Sequence, residues 1–425
     1  MSSPKSGGRP IIDLRIDVPG ADAINPLVYN GTYKAMLNGG YIVKFEVSDP
    51  NGVMLDKMMK NGYLAKARAN APISMTYTFK WNATASYPEM ATQQEIAYVV
   101  SLKARGKAPD TSFLEFIGID PPSWWLNNGD ASGAAWKGKI SDVIFNVCGK
   151  YASNILAIVP DTKDSNQNYW YQFRQDPKSF IGSLIDYATP FTETRTGFIV
   201  VPDNDKTIEF KDQGSITSTS RGYYTRTSSN SFDTLIDWTC LSDNALSLTN
   251  LAIVTSGLCA ISGEYIDLNT DPAKGQSPSV FANDESTSQK KIAETSSTES
   301  FAKPSNTGKG WTSMCAIPEL YSAGDCGLDY KDYIDGISRK SYLDLVNMLF
   351  RAKFTVLGHG EWTGCKGLGT DTIFVDWRQS DRGIEPYFMN GKWLVYGYEH
   401  TMTSKYWHTD LYCARFDYDA SAQKV

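Results

Sequence analysis

Histidine is scarce in this 425-residue chain, with three residues against 24 Tyr, 18 Phe and 11 Trp. No HExxH pair, GxSxG nucleophile elbow or GxxxxGK[ST] phosphate loop occurs, so the common zinc-protease, serine-hydrolase and P-loop chemistries have no sequence support. No apolar run approaches the roughly 18 residues that span a bilayer; LAIV and FIVV are typical of the longest. The start, MSSPKSGGRP, lacks the apolar core of a signal peptide, which predicts synthesis and folding in the cytoplasm. Seven cysteines form no CxxC pair; an odd, scattered set predicts reduced, mostly buried thiols. A net charge of −6 argues against a basic nucleic-acid binder.

What the chain does have is strand pattern. ISMTYTFKW (73–81), EIAYVVSLKA (95–104), YIVKFEV (41–47) and FLEFIGI (113–119) carry alternating or apolar β-favouring residues between turn clusters. The DPNG turn at 49–52 bounds one of them, and Pro121-Pro122 ends another. Four or more short strands without long helices point to a small barrel or sandwich. The period then changes. Ile140, Val143, Ile144, Val147 and Tyr151 follow helical spacing, and a second helix is expected from Asp176-Pro177, where Asp caps and Pro fits the first turn. GFIVV, PDND and KTIEF (197–210) predict a hairpin, so residues 137–212 read as a separate α+β module.

Strand pattern resumes at 232–268, and a third helix is expected at 341–350. Between them, residues 269–310 hold 13 Ser or Thr and only four strongly apolar side chains, too few to offset ordering entropy with a core of their own. This segment is either a mobile loop or an arm ordered by a partner. The chain closes with KFTVLGHGEWTGCKGLGTDTIFVDW and LVYGYEHTMTSKYWHTDLYCARF, both read as strand–turn–strand.

Three constellations compete for a chemical role. A three-residue loop at Thr403-Ser404-Lys405 would set His400 opposite His408 and Tyr398 opposite Asp410, two imidazoles and a carboxylate on one face; a four-residue loop would break that register. His359, Glu361 and Cys365 contain ligand types, but the glycines around them fit a tight strand connection better. Trp124 and Trp125 in PPSWWLNNG offer sugar stacking, yet neighbours on a strand face opposite ways, which favours a packing corner. No catalytic, cofactor-binding or metal residue is therefore assigned, and the chain is not expected to be an enzyme.

The order of elements resembles the central baseplate hub proteins of contractile phage tails and related injection machines, the late control protein D-like group. A strand AKFTVLG, a Gly turn GLG and a strand TIFVDW precede GKWLVYGYEHTMTSKYWHTDLYCARF. Hub proteins carry a similar run, G-x-W/Y-x-V-x-x-V-x-H before a T-x-L strand. Gly391, Trp393, Val395, Tyr398, His400, Thr409 and Leu411 correspond to it here. Tyr398 replaces the usual Val, and Asp381 to Pro386 lengthen the approach.

The resemblance implies a mainly β chain with an α+β insert: two tail-tube-type β-barrels plus a small α+β domain. The first barrel would be 1–136, the α+β domain 137–212, and the second barrel 213–268 with 341–425, interrupted by a polar insertion at 269–340. It implies a structural virion protein, a homotrimer joining tail tube to central spike beside baseplate wedge proteins. Two barrels in each of three chains would give six around a ring, matching a sixfold tube above a threefold spike. DNA would pass through the lumen without specific binding, and no cofactor or membrane anchor is implied. The rival classes are a tail-associated carbohydrate-active or cell-wall-degrading enzyme and a monomeric receptor-binding adhesin.

Overall fold

Alternation of buried and solvent-facing side chains builds the sheet. In Ser74–Trp81, Met75, Tyr77, Phe79 and Trp81 are buried while the residues between them are only partly so. The computed structural model describes residues 10–241 and 350–415, with breaks of which 378–388 is the longest; between these spans it describes only the strand backbones at 261–265, 279–282 and 311–312.

The strands in chain order are β1 (Pro10–Asp17), β2 (Val28–Met36), β3 (Gly40–Ser48), β4 (Ser74–Trp81), β5 (Met90–Ala91), β6 (Glu95–Ala108) and β7 (Thr111–Ile119). Next come β8 (Ala134–Lys137), β9 (Leu156–Ile158), β10 (Tyr169–Gln172), β11 (Phe198–Pro202), β12 (Thr207–Asp212), β13 (Ser220–Thr225) and β14 (Leu235–Cys240). The last are β15 (Ile261–Tyr265), β16 (Ser279–Ala282), β17 (Trp311–Thr312), β18 (Phe350–Leu357), β19 (Thr372–Asp376), β20 (Gly391–Thr403) and β21 (Trp407–Arg415). Helices are α1 (Val53–Lys60), α2 (Pro121–Asn127), α3 (Ile140–Gly149) and α4 (Pro177–Tyr187).

Thirteen strands form one sheet along the path β1-β4-β6-β7-β3-β2-β20-β21-β18-β14, with β5, β13 and β19 attached beside it. Its pairings are antiparallel except β13 with β19. The first and last strand-rich regions are thus continuous. They join where β2 pairs with β20, Asn30 opposite Thr403 through Met36 opposite Gly397. The 13-residue β20 serves two partners on one edge, β19 at Gly391–Leu394 and β2 at Gly397–Thr403, and β21 on the other. One core follows the sheet across this junction, from Leu14 through Tyr33, Phe45 and Tyr77 to Trp362, Tyr398 and Cys413.

A second core gathers Val143, Ile144 and Val147 of α3, Phe180 and Leu184 of α4, Trp170, Ile208 and Phe210. The expected cap is present: Asp176 Oδ1 accepts from the Ser179 amide at 2.9 Å, with Pro177 in the first turn. The expected hairpin is β11–β12, to which β9 adds in parallel. Asp120 fastens this unit to the sheet, accepting from the amides of Ser123 (2.7 Å) and Tyr41 (3.3 Å).

Several expectations are corrected. PPSWW is helix α2, not strand, because Asp120 caps it and both prolines fit its first turn. Trp124 is buried and meets Trp125 edge-on at 4.9 Å, so the pair is a packing corner. Helix α1 comes directly after the DPNG turn, its Met54 and Leu55 amides bonded to Asp49 at 2.8 and 3.1 Å. Strands β18 and β19 do not pair with each other; the β20–β21 hairpin lies between them, and residues 358–371 run along it from Trp407 past His400 and Tyr398 to Val395. The hairpin itself turns at Ser404-Lys405, with the Thr403 amide bonded to the Tyr406 carbonyl at 2.9 Å. That two-residue loop pairs His400 with Thr409 and Thr401 with His408, so the imidazoles take opposite faces. Phe350 opens a strand; the rest of the expected third helix, the segment 251–257 and most of 269–310 lie outside the described residues, although the strand Ser279–Ala282 falls within the latter.

Candidate functional site: a buried polar seam and a charge-paired face

The core face of the junction is unusually polar. Tyr33 stacks between Tyr41 (5.2 Å) and Tyr398 (5.6 Å), bridging β3, β2 and β20. Beside them Glu95 is 2% exposed. Its carboxylate accepts from the Tyr77 hydroxyl at 2.9 Å and from the Gly364 amide at 2.8 Å. Burial raises this carboxyl to about 7, with the two hydrogen bonds pulling the other way.

Gly364 belongs to the crossover 358–371, and its neighbours are held in the same manner. The Tyr398 hydroxyl donates to the Gly364 carbonyl at 2.6 Å. Its φ of 58° suits a residue without Cβ. At Gly360 a Cβ would lie 2.5 Å from the Ala91 carbonyl oxygen, so the crossover approaches β5 backbone to backbone. His359 adopts φ 136°, and its Nε2 lies 2.7 Å from the Tyr224 hydroxyl, which also accepts from Trp362 Nε1 at 3.1 Å.

His400 closes the network. Its Nε2 faces the Trp362 carbonyl at 2.7 Å and therefore carries a proton, since a carbonyl only accepts. Burial drives the imidazole down to about 3, so it is neutral and Nδ1 is the acceptor. Trp407 Nε1 donates to Nδ1 at 3.5 Å, and the Thr409 hydroxyl, which donates to the Gly358 carbonyl at 2.8 Å, lies 2.6 Å from the same nitrogen. A neutral imidazole of fixed tautomer pins the crossover to the hairpin. His408 is half-buried on the other face.

That other face is charged but paired. Lys44, Lys103 and Arg105 surround Glu115 at 2.9, 3.6 and 3.4 Å. Lys34 reaches Glu399 at 3.5 Å and Lys353 reaches Asp410 at 3.1 Å. Asn30 donates to Glu46 and Tyr412 to Glu399, each at 2.9 Å. Cross-strand register puts these residues on one surface running from β6 through β7, β3, β2, β20 and β21 to β18. Three of these carboxylates pair with the five cations, Glu46 is held by Asn30, and Arg351 stands on the same face of β18 as Lys353.

The three sequence constellations are dispersed by this geometry. His400 is inside, His408 and Asp410 outside. Among His359, Glu361 and Cys365, the first and last are buried while Glu361 is exposed. Among the described residues no three His, Cys, Asp or Glu side chains gather in a metal-holding group. Cys148, Cys365 and Cys413 are buried free thiols and Cys240 is exposed. Sequence reasoning missed Glu95, Tyr33, Tyr77 and Tyr224. The signal was present for Glu95: period-2 reading places it on the same side as Ala97, the core side of β6.

No protein-family model matches this sequence, and no curated protein matches it. Solved structures do share the fold. The tail protein from Neisseria meningitidis MC58 superposes with a TM-score of 0.53 over 97% of this chain and 99% of its own, at 8% identity. The 43 kDa tail protein of prophage MuSo2 from Shewanella oneidensis gives 0.51 over 97% and 100%, at 10% identity. A chain of the half-lidded Francisella PdpA–VgrG complex gives 0.52 over 96% of this chain and 58% of that chain, at 9% identity. The fold is mainly β with small helical parts. Among the described residues no helix is long and apolar enough to cross a membrane.

Proposed function

We propose that the chain is a structural component of a phage tail or related injection machine, and within it the trimeric hub that joins the tail tube to the central spike. The observation that carries this reading is the end-to-end likeness of fold to two tail proteins, 97% of this chain against 99% and 100% of theirs. In this reading residues 1–136 and 213–268 with 341–425 are the two tube-type units, 137–212 the small α+β domain, and 269–340 an insertion available to baseplate wedge proteins. Three chains then supply six tube-type units, a number suited to a sixfold tube above a threefold spike.

The charge-paired face is assigned to the lumen. A wall on which carboxylates stand among the cations gives phosphates no unbroken run of positive charge, which supports passage of DNA without specific binding. The role is structural, with no catalytic residue assigned. Native mass spectrometry of the chain with its cognate spike tests it: a three-to-three complex is expected. A stable one-to-one complex at micromolar concentration, or turnover of peptidoglycan by the isolated chain, overturns the hub reading.

A further inference from the structure

The charge-paired face ends in an apolar patch that the pairing does not absorb. Leu27 is 79% and Tyr29 54% exposed. Tyr29 is the extra residue of a bulge in β2, between the pairs Val28–Val47 and Asn30–Glu46. The bulge re-aims its side chain, and the ring meets Phe113 at 5.9 Å and 53°. Phe113 stands opposite Arg105 in the β6–β7 ladder, and Glu115 opposite Lys103. The apolar patch therefore borders a cluster in which cations outnumber carboxylates. Glu115 alone answers Lys44, Lys103 and Arg105, whose side chains remain 45%, 56% and 64% exposed. Glu46 stands opposite Glu115 and is held by Asn30, so three cations outnumber two carboxylates here.

An exposed aliphatic and aromatic centre with Arg and Lys at its rim has the anatomy of a protein interface. Stacked nucleic-acid bases fit it poorly, because the two rings are tilted and form no flat platform. The spacing is informative too. Directly opposed residues on neighbouring strands lie about 5 Å apart, and alternate residues of an extended chain about 7 Å apart. One side chain seated on Tyr29 and Phe113 thus leaves its second neighbour along an extended segment within reach of Arg105 or Lys103. We propose that this patch docks an extended segment of a partner protein that carries an apolar side chain with acidic residues two positions away. The proposal is independent of whether the face lines a channel.

The test uses the full chain and a fluorescein-labelled probe, acetyl-Thr-Glu-Thr-Leu-Thr-Glu-Thr-amide, read by anisotropy. Three comparison probes replace both Glu by Lys, replace Leu by Ala, or are a 12-nucleotide oligothymidylate. The Glu–Leu peptide is expected to bind at least tenfold more tightly than any of the three. The double variant K103E/R105E should reverse the preference, so that the Lys peptide binds the more tightly. Unchanged circular dichroism of the double variant separates this reversal from misfolding. The single variant Tyr29→Ala should weaken the Glu–Leu peptide while leaving the circular dichroism unchanged. Equal binding of the Glu and Lys peptides, tighter binding of the oligothymidylate, or failure of the double variant to reverse the preference overturns the proposal.

Discussion

Glu95 and Glu115 lie in adjacent strands of one sheet and are both buried, yet they meet opposite surroundings. Glu95 faces the core, among Tyr33, Tyr41, Tyr77 and Tyr398, with hydroxyl and amide donors but no cation bonded to it. Burial dominates, and its carboxyl is raised to about 7. Glu115 faces outward under three cations, and the Lys44 hydrogen bond holds its carboxyl below the usual range. A side chain's strand register, more than its burial, decides whether it is a cost to the fold or a neutralising centre. The two faces of this sheet accordingly do different things. The inner one fixes the crossover to the junction, and the outer one offers a surface of cross-strand charge pairs.

The contrast breaks most severely if the inner network loses its largest member. Trp362 is fully buried and holds both Tyr224 and His400. Trp362→Ala should destabilise the protein by about 3–5 kcal/mol in urea unfolding. A loss below about 1 kcal/mol would mean that the crossover is not integral to the core.

Next in size is the pH dependence of Glu95. Its folded-state value is raised, so the stabilisation is fully present below about 4.5 and is lost as pH rises through about 7. Above that the buried carboxylate costs about 3 kcal/mol, from 1.36 kcal/mol per unit. Glu95→Gln keeps an acceptor for the Gly364 amide and removes the titration. The variant should therefore gain stability over the parent between pH 5 and 8 and match it at pH 4. Parallel pH profiles for the two proteins would contradict the assignment.

The smallest effect belongs to the outer face. Glu115 is lowered, so its contribution is present at neutral pH and is lost as pH falls through the folded-state value. Its cations are largely exposed, so Glu115→Gln should cost less than about 1 kcal/mol at pH 7. High salt should shrink the difference further. A salt-independent loss of several kcal/mol would mean that Glu115 is a core charge, and the distinction between the faces would fail.

Much of the local architecture was legible because it is local. Alternation marked β4, the Asp176-Pro177 cap marked α4, and a four-residue PDND turn marked β11–β12. What escaped depends on distant partners or on a single residue of loop length. One residue fewer in the 403–406 turn than the face-to-face register needs sends His408 to the opposite surface from His400. The separation of β18 from β19 arises from a hairpin inserted between them, which periodicity cannot report. Helix α1 hid behind its own DPNG turn, which reads as a strand boundary although Asp49 holds the first amides of the helix. The polar seam was invisible for the same reason as the sheet order: Glu95 and Gly364 meet only once β2 has found β20.

That meeting sets a timetable for synthesis. Strand β2 leaves the ribosome roughly 360 to 370 positions ahead of the strand that covers its edge, a lead of about 20 to 70 s at 5–20 residues per second. Throughout that interval the nascent chain carries an unpaired strand edge and an uncovered cluster of tyrosines. Long-range pairing of this kind is slow to form, and it exposes such edges to neighbouring chains. The time spent waiting for the carboxy-terminal hairpin, not the strength of the finished sheet, is where overproduction of this protein should fail.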